Sequence, residues 1–140
     1  MIDTVVIATD GSESVERAVA IAVDLANRFD ATVHALYVVD TDEVDSSPET
    51  LQTELHTALE RTGDEAVAKV RERTGRQVIT AVREGNPTAE ITDYAREHDA
   101  DVVAMGTRGR HGEHRFLIGS VAERLVRTCP VPVLTVRQLS

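Results

Sequence analysis

The chain has 140 residues, the usual size of one domain that buries its own core. Its formal net charge of -9 at pH 7 argues against nonspecific nucleic-acid binding, which needs clustered Lys and Arg. The apolar runs are too short to cross a bilayer, and the opening residues lack the pattern of a secretory signal. We therefore expect one cytoplasmic domain over residues 1–140, with neither a nucleic acid nor a membrane as partner.

The basic residues are almost all arginine. Lys69 is the only lysine among 15 Lys and Arg residues, and acidic residues are scattered along the whole chain. A dispersed acidic surface repels itself at low ionic strength and is screened by salt. This composition predicts a halophilic protein whose stability rises with salt. An ordinary acidic protein from an arginine-rich proteome is the alternative.

Five short runs rich in β-branched residues are typical of buried strands. The predicted strands cover residues 4–8, 32–39, 77–82, 102–105 and 131–136.

Helical spacing of apolar residues separates these runs. The first helix begins near Val15, with Ser12 or Ser14 as its cap, and carries apolar residues to Phe29. The second covers residues 49–73, with a bend or fraying expected near Gly63 and Gly75 placed to end it. Pro87 suits the first turn of the third helix, and the fourth covers residues 120–127, with Val121, Leu125 and Val126 as its apolar residues. The acidic segment 40–48 is predicted to be a mobile loop.

Strands that alternate with helices predict right-handed crossovers and a parallel sheet covered on both faces. The expected fold class is α/β, a three-layer α/β/α sandwich. In such sheets, ligands bind beyond the carboxyl ends of the strands.

Two of these strand ends carry residues suited to a phosphate. Thr9-Asp10-Gly11-Ser12 follows the first strand, and Gly106-x2-Gly109-x9-Gly119-Ser120 follows the fourth. Glycines let the backbone N–H groups approach an anion, and the helix that starts at Ser120 adds its own unpaired amides. The pattern predicts a phosphate site, although it matches neither the P-loop nor the dinucleotide fingerprint.

These residues make the chain resemble the universal stress protein family. The resemblance runs from residues 5–12 through Gly85-Asn86-Pro87 to residues 130–134. It implies a flavodoxin-like, adenine nucleotide-binding fold with five parallel strands in the order 3-2-1-4-5.

The resemblance also implies how the nucleotide is held. Asp10 contacts the ribose, the backbone of Val38 recognises adenine, and the glycines and Ser120 hold the phosphates. Independently of the resemblance, Arg108, Arg110 and Arg115 either neutralise phosphates or are solvated, and we expect Arg108 or Arg110 to approach the nucleotide. Ala8 stands where ATP-binding members often have proline, which weakens its assignment to the pocket wall. The full set of predicted binding residues is Ala8, Thr9, Asp10, Val38, Met105, Gly106, Arg108, Gly109, Arg110, Gly119, Ser120 and Val121.

The implied ligand is ATP, or ADP or AMP, with Mg²⁺ or Mn²⁺ held mainly by the phosphates. The resemblance further implies a homodimer through the last strand, at residues 131–136.

Other polar residues are given structural roles. His111 and His114 have no third ligand nearby in the sequence, so we predict no metal site formed by protein residues. His34, His56 and His98 are expected at surface or half-buried positions. Glu84 is expected to be solvated, and Cys129 to be a buried structural thiol.

No recognisable catalytic set for hydrolysis is present, since Asp10 is the only candidate base and a P-loop lysine is missing. The leading hypothesis is a nucleotide-dependent sensor or switch in a stress response. A slow ATPase or a phosphoryl or adenylyl transferase is the first alternative. A nucleotide-free structural dimer is the second.

Overall fold

The computed structural model describes residues 1–107 and 119–139. Within them no helix is both long and apolar enough to cross a membrane. The strands are β1 (Thr4–Ala8), β2 (Thr32–Asp40), β3 (Val78–Gly85), β4 (Val102–Gly106) and β5 (Val133–Val136). The helices are α1 (Glu16–Phe29), α2 (Thr41–Asp45), α3 (Gln52–Glu72), α4 (Pro87–Glu97) and α5 (Ser120–Thr128).

The strands form one five-stranded sheet in the order β3-β2-β1-β4-β5, and every pairing is parallel. The predicted fold class and strand order are therefore confirmed. β1 ends first, at Ala8 beside Leu36, while β2 continues alongside β3 as far as Asp40. This difference in length leaves the end of β2 without β1 beside it.

The core is divided between the two faces of the sheet, because successive side chains of a strand point to opposite sides. On one face Val5 and Ile7 pack with buried residues of α1 and α3. On the other face Val6 and Ala8 pack with α4 and α5. β1, the middle strand, thus has helices over both of its faces, which explains its run of apolar residues.

The prediction of a mobile loop over residues 40–48 is wrong. Residues Thr41–Asp45 form α2, and the Asp40 Oδ1 atom accepts a hydrogen bond of 3.0 Å from the backbone N–H of Asp42. Val44 is buried in the same core cluster as residues of α1 and α3. A helix cap and one buried apolar side chain order this segment, and neither gives a long periodic signal.

The second helix was predicted with the wrong interior, whereas its end was predicted to within one residue. α3 continues without interruption through Gly63, where an added Cβ atom would lie 2.6 Å from Cδ1 of Tyr37. Gly63 is therefore needed for close packing of α3 on β2. The helix ends at Glu72, before Gly75.

The predicted apolar faces of α1 and α5 also include residues near the helix ends that are exposed in the structure. Phe29 is exposed, and Val126 is 54% exposed, whereas Ala122 and Leu125 make the buried face of α5. The spacing identified each helix but not which of its turns are covered.

His34 departs from the half-buried or surface position expected for it, since it is only 5% exposed. Its Nδ1 atom lies 2.6 Å from the Tyr94 hydroxyl oxygen, within hydrogen-bond distance. The ring of exposed His98 lies 4.8 Å from that of His34, and Arg83 lies over the ring of Tyr94. Burial, and then the nearby His98, lower the pKa of His34.

We predict that Gly63→Ala destabilises the protein although alanine is the better helix former. The added methyl group overlaps Tyr37, and overpacking of this kind costs about 1–3 kcal/mol. Urea unfolding measures the change. Gly75→Ala is the matched control, because an added Cβ atom there meets no atom within 4 Å. Equal effects of the two substitutions would contradict this account.

We also predict that the free energy of unfolding falls as the pH drops below about 6.5, the ordinary pKa of histidine. The unfolded state takes up a proton in this range while folded His34, with its lowered pKa, resists protonation, so protons favour unfolding. Urea unfolding at several pH values, on the wild type and on His34→Gln, isolates this contribution. An unchanged pH dependence in His34→Gln would contradict it.

Candidate functional site

A crevice opens at the carboxyl ends of β1 and β4. These strands are neighbours in the sheet, and the helices that follow them lie on opposite faces of it. β1 leads to α1 on one face, and β4 is followed by α5 on the other. A cavity of about 250 Å³ lies here, at the carboxyl ends of the strands. It is lined by nine of the predicted binding residues: Ala8, Thr9, Asp10, Val38, Met105, Gly106, Gly119, Ser120 and Val121.

The remaining predicted binding residues, Arg108, Gly109 and Arg110, lie outside the described residues, as do His111 and His114. Thr107 and Gly119, which border residues 108–118 in the sequence, both line the cavity.

The turn after β1 is held by its own side chains. The Asp10 Oδ1 atom accepts hydrogen bonds from the backbone N–H of Ser12 at 2.9 Å and from the Ser12 hydroxyl at 2.6 Å. The Thr9 hydroxyl oxygen accepts from the N–H of Gly11. Ser12 therefore precedes the first helical turn as predicted, but its hydroxyl stabilises Asp10 instead of capping the helix. These bonds fix Asp10 beside the cavity.

A lysine of α3 also stabilises the turn after β1. Lys69 Nζ, on α3, donates a hydrogen bond of 3.0 Å to the carbonyl oxygen of Gly11. The one lysine of the chain thus connects the long helix to the turn that carries Asp10.

The end of β2 offers backbone groups to the cavity. The Leu36 carbonyl oxygen accepts from the N–H of Thr9, so the backbone of Leu36 faces β1. Alternate residues of a strand direct their backbone groups to the same side, which orients Val38 the same way. β1 has already ended at Ala8, so Val38 faces the cavity at this point.

The first turn of α5 supplies N–H groups. The N–H of Gly119 donates to the Thr107 carbonyl, and the first helical bond joins Glu123 N–H to the Gly119 carbonyl at 2.9 Å. The amides of Ser120, Val121 and Ala122 come before that bond, and all three residues line the cavity. Amides at a helix start, together with the helix dipole, favour an anion.

Gly106 has a packing role besides any contact with a ligand. An added Cβ atom would lie 3.0 Å from the Ser14 carbonyl oxygen, in the turn that leads into α1. The glycine lets β4 approach that turn closely, so this member of the glycine pattern is explained by the fold itself.

The described lining is acidic. Asp10, Asp40 and Glu43 line the cavity, and the described part of its wall includes no Lys, Arg or His. Sequence reasoning missed Asp40 and Glu43, because it placed them in a loop. It also missed Pro87 and Ile91 of α4, whose helix was predicted but whose position over the crevice depends on packing.

Comparison with known proteins agrees with this architecture. A statistical model of the universal stress protein family matches residues 1–137. A universal stress protein of Methanocaldococcus jannaschii is 40% identical over 138 residues, which span 96% of this chain and 81% of the relative. The structure of the hypothetical protein MJ0577 superposes with a TM-score of 0.81 at 26% identity, covering 100% of this chain and 99% of the other.

Two further structures of the same fold contain a nucleotide. A universal stress protein in complex with cAMP is 24% identical, with a TM-score of 0.71. The match covers 99% of this chain and 98% of that protein's chain. The universal stress protein from Archaeoglobus fulgidus in complex with dAMP is 23% identical, with a TM-score of 0.70. The match covers 98% of this chain and 100% of that protein's chain. With the family match over nearly the whole length and the shared sheet order, this chain belongs to the universal stress protein family.

Proposed function

We propose that the protein binds ATP, or a related adenine nucleotide, in the crevice between β1 and β4 and acts as a nucleotide-dependent sensor or switch in a stress response. The observation that carries the proposal is the first turn of α5, whose residues line a cavity at the switch point of the sheet and whose amides precede the first helical hydrogen bond.

The cavity offers a distinct environment to each part of a nucleotide. Val38 supplies backbone groups for the edge of a base, beside the apolar side chains of Leu36 and Ile91. Asp10 supplies a carboxylate for the ribose hydroxyls. The first turn of α5 supplies N–H groups for a phosphate. The described cavity has a volume of about 250 Å³, close to the usual lower limit of about 300 Å³ for ligand pockets.

The acidic side chains of the cavity wall determine what else a bound polyphosphate needs. With Asp10, Asp40 and Glu43 in its wall, a polyphosphate requires countercharge. Mg²⁺ or Mn²⁺ carried by the phosphates supplies it, and so does Arg108 or Arg110, which follows Thr107 closely in the sequence. We propose that the metal ion is held mainly by the nucleotide.

Binding is favoured over catalysis. Asp10, the candidate base, uses one carboxylate oxygen for the two hydrogen bonds that hold its turn. The described wall has no Lys, Arg or His side chain that could stabilise a transferring phosphoryl group. We therefore propose a binding protein, with slow hydrolysis or group transfer as the alternative tested below.

We predict that ATP with Mg²⁺ binds saturably and that Ser120→Glu weakens this binding at least about tenfold. The new carboxylate lies in the first turn of α5, where it favours the helix and repels a phosphate. Isothermal titration calorimetry measures the affinity, in concentrated KCl and at low salt because of the predicted salt dependence. Urea unfolding verifies that the variant is folded.

Thr53→Glu is the matched control, since it adds the same charge to the first turn of α3, away from the cavity lining. Unchanged affinity in Ser120→Glu would contradict phosphate binding at α5. ADP released during the titration would favour the enzyme, and no binding by the wild type would favour a nucleotide-free structural dimer.

We further propose that two copies pair through β5, an edge strand. The carbonyls of Pro132 and Val136 accept hydrogen bonds from Val103 and Thr107, so the backbone of these even-numbered residues faces β4 or its extension. Strand alternation then directs the N–H groups of Val133 and Thr135 to the open edge.

We predict that Thr135→Pro dissociates the dimer without breaking the sheet of each subunit, because proline removes only an N–H that faces outward. Analytical ultracentrifugation of the wild type, Thr135→Pro and the control Thr135→Val measures the mass. A Thr135→Pro protein that stays dimeric would place the interface elsewhere.

A further inference from the structure

A second group of polar side chains lies outside the nucleotide cavity, where α3 packs beside the end of β3. His56 and Glu60 are one turn apart on α3, and His56 Nδ1 lies 3.1 Å from Glu60 Oε1. Glu84, on β3, contacts the other ring nitrogen, Nε2. One ligand atom from each of the three residues lies within 4.8 Å of the others. None of them lines the crevice between β1 and β4.

The donor atoms of this cluster are of the types that divalent metal sites use. Because the two carboxylates contact different nitrogens of the ring, an ion on one nitrogen requires the other carboxylate to turn towards it. One imidazole nitrogen and two carboxylate oxygens are ligands that Zn²⁺ accepts in a tetrahedral site with the fourth position open to water. Two carboxylates carry the charge that a divalent cation neutralises. The side chains are 35%, 51% and 48% exposed for His56, Glu60 and Glu84, so they have room to adjust around an ion and water has access to it.

The three proposed ligands come from two elements, so a bound ion would link these elements. The pair at i and i+4 on a helix presents two ligands from one face. The third comes from β3, the edge strand at the opposite side of the sheet from β5. An ion held by all three would tie the first half of α3 to the end of this edge strand.

We propose that His56, Glu60 and Glu84 form a Zn²⁺ site that links α3 to β3. The site is independent of the nucleotide proposal, since it shares no residue with that cavity. The competing account is a pair of exposed ion pairs in which a protonated imidazole bridges two carboxylates and no metal binds; such pairs contribute little to stability.

The test is calorimetric titration of ZnCl₂ into metal-free, full-length protein at about pH 7.5, since metal affinity depends on pH and the pH must be fixed. We expect one saturable equivalent. His56→Gln should weaken binding about 100-fold or more, and Glu84→Gln at least about tenfold, since even outer partners of a metal ligand affect affinity by about 10–100-fold. Glu65→Gln, an exposed carboxylate of α3 outside the cluster, should bind zinc as the wild type does.

Thermal unfolding gives the second measurement. Zinc should raise the unfolding midpoint of the wild type progressively with its concentration, and should not do so in His56→Gln. A double variant, His111→Gln with His114→Gln, should keep the response, which excludes these histidines as the source. Absence of saturable binding, or equal binding by His56→Gln, would overturn the proposal and leave the ion pairs alone.

Discussion

The crevice exists because two neighbouring parallel strands pass the chain to opposite faces of one sheet. β1 has α1 and α3 on one side and α4 and α5 on the other, so its side chains from Val5 to Ala8 are buried in the core. At its carboxyl end the cavity is lined by the turn after β1, the end of β2 and the start of α5. A ligand site here needs no special loop, since the winding of the chain creates the opening.

Several groups around this opening serve the fold and the proposed site together. Asp10 holds its own turn through Ser12, and Gly106 lets β4 approach the turn before α1. The short length of β1 leaves Val38 facing the crevice. A ligand would therefore meet backbone and side-chain groups that folding has already fixed, which reduces the ordering required on binding.

The helix α3 connects distant parts of the molecule. Gly63 permits close contact with Tyr37 on β2, and Lys69 supports the turn that carries Asp10. Near the other end of the helix, His56 contacts Glu84 on β3. The proposed zinc site would thus act on the same helix that supports the nucleotide-site turn. Both proposals still require separate tests, because their ligand groups are different.

The sequence by itself determined the alternation of the five strands with α1, α3, α4 and α5, the parallel sheet and most of the candidate site. Alternating apolar strands and amphipathic helices are local patterns, and the turn after β1 and the glycine pattern after β4 are read directly from neighbouring residues. Only the tertiary structure decided the contacts between segments far apart in the chain. The burial of His34 against Tyr94, the uninterrupted helix at Gly63, the acidic residues Asp40 and Glu43 in the cavity wall, and the meeting of His56 with Glu84 all depend on packing. Such contacts leave no periodic signal, because each is fixed by how two elements approach and not by the spacing of residues within one.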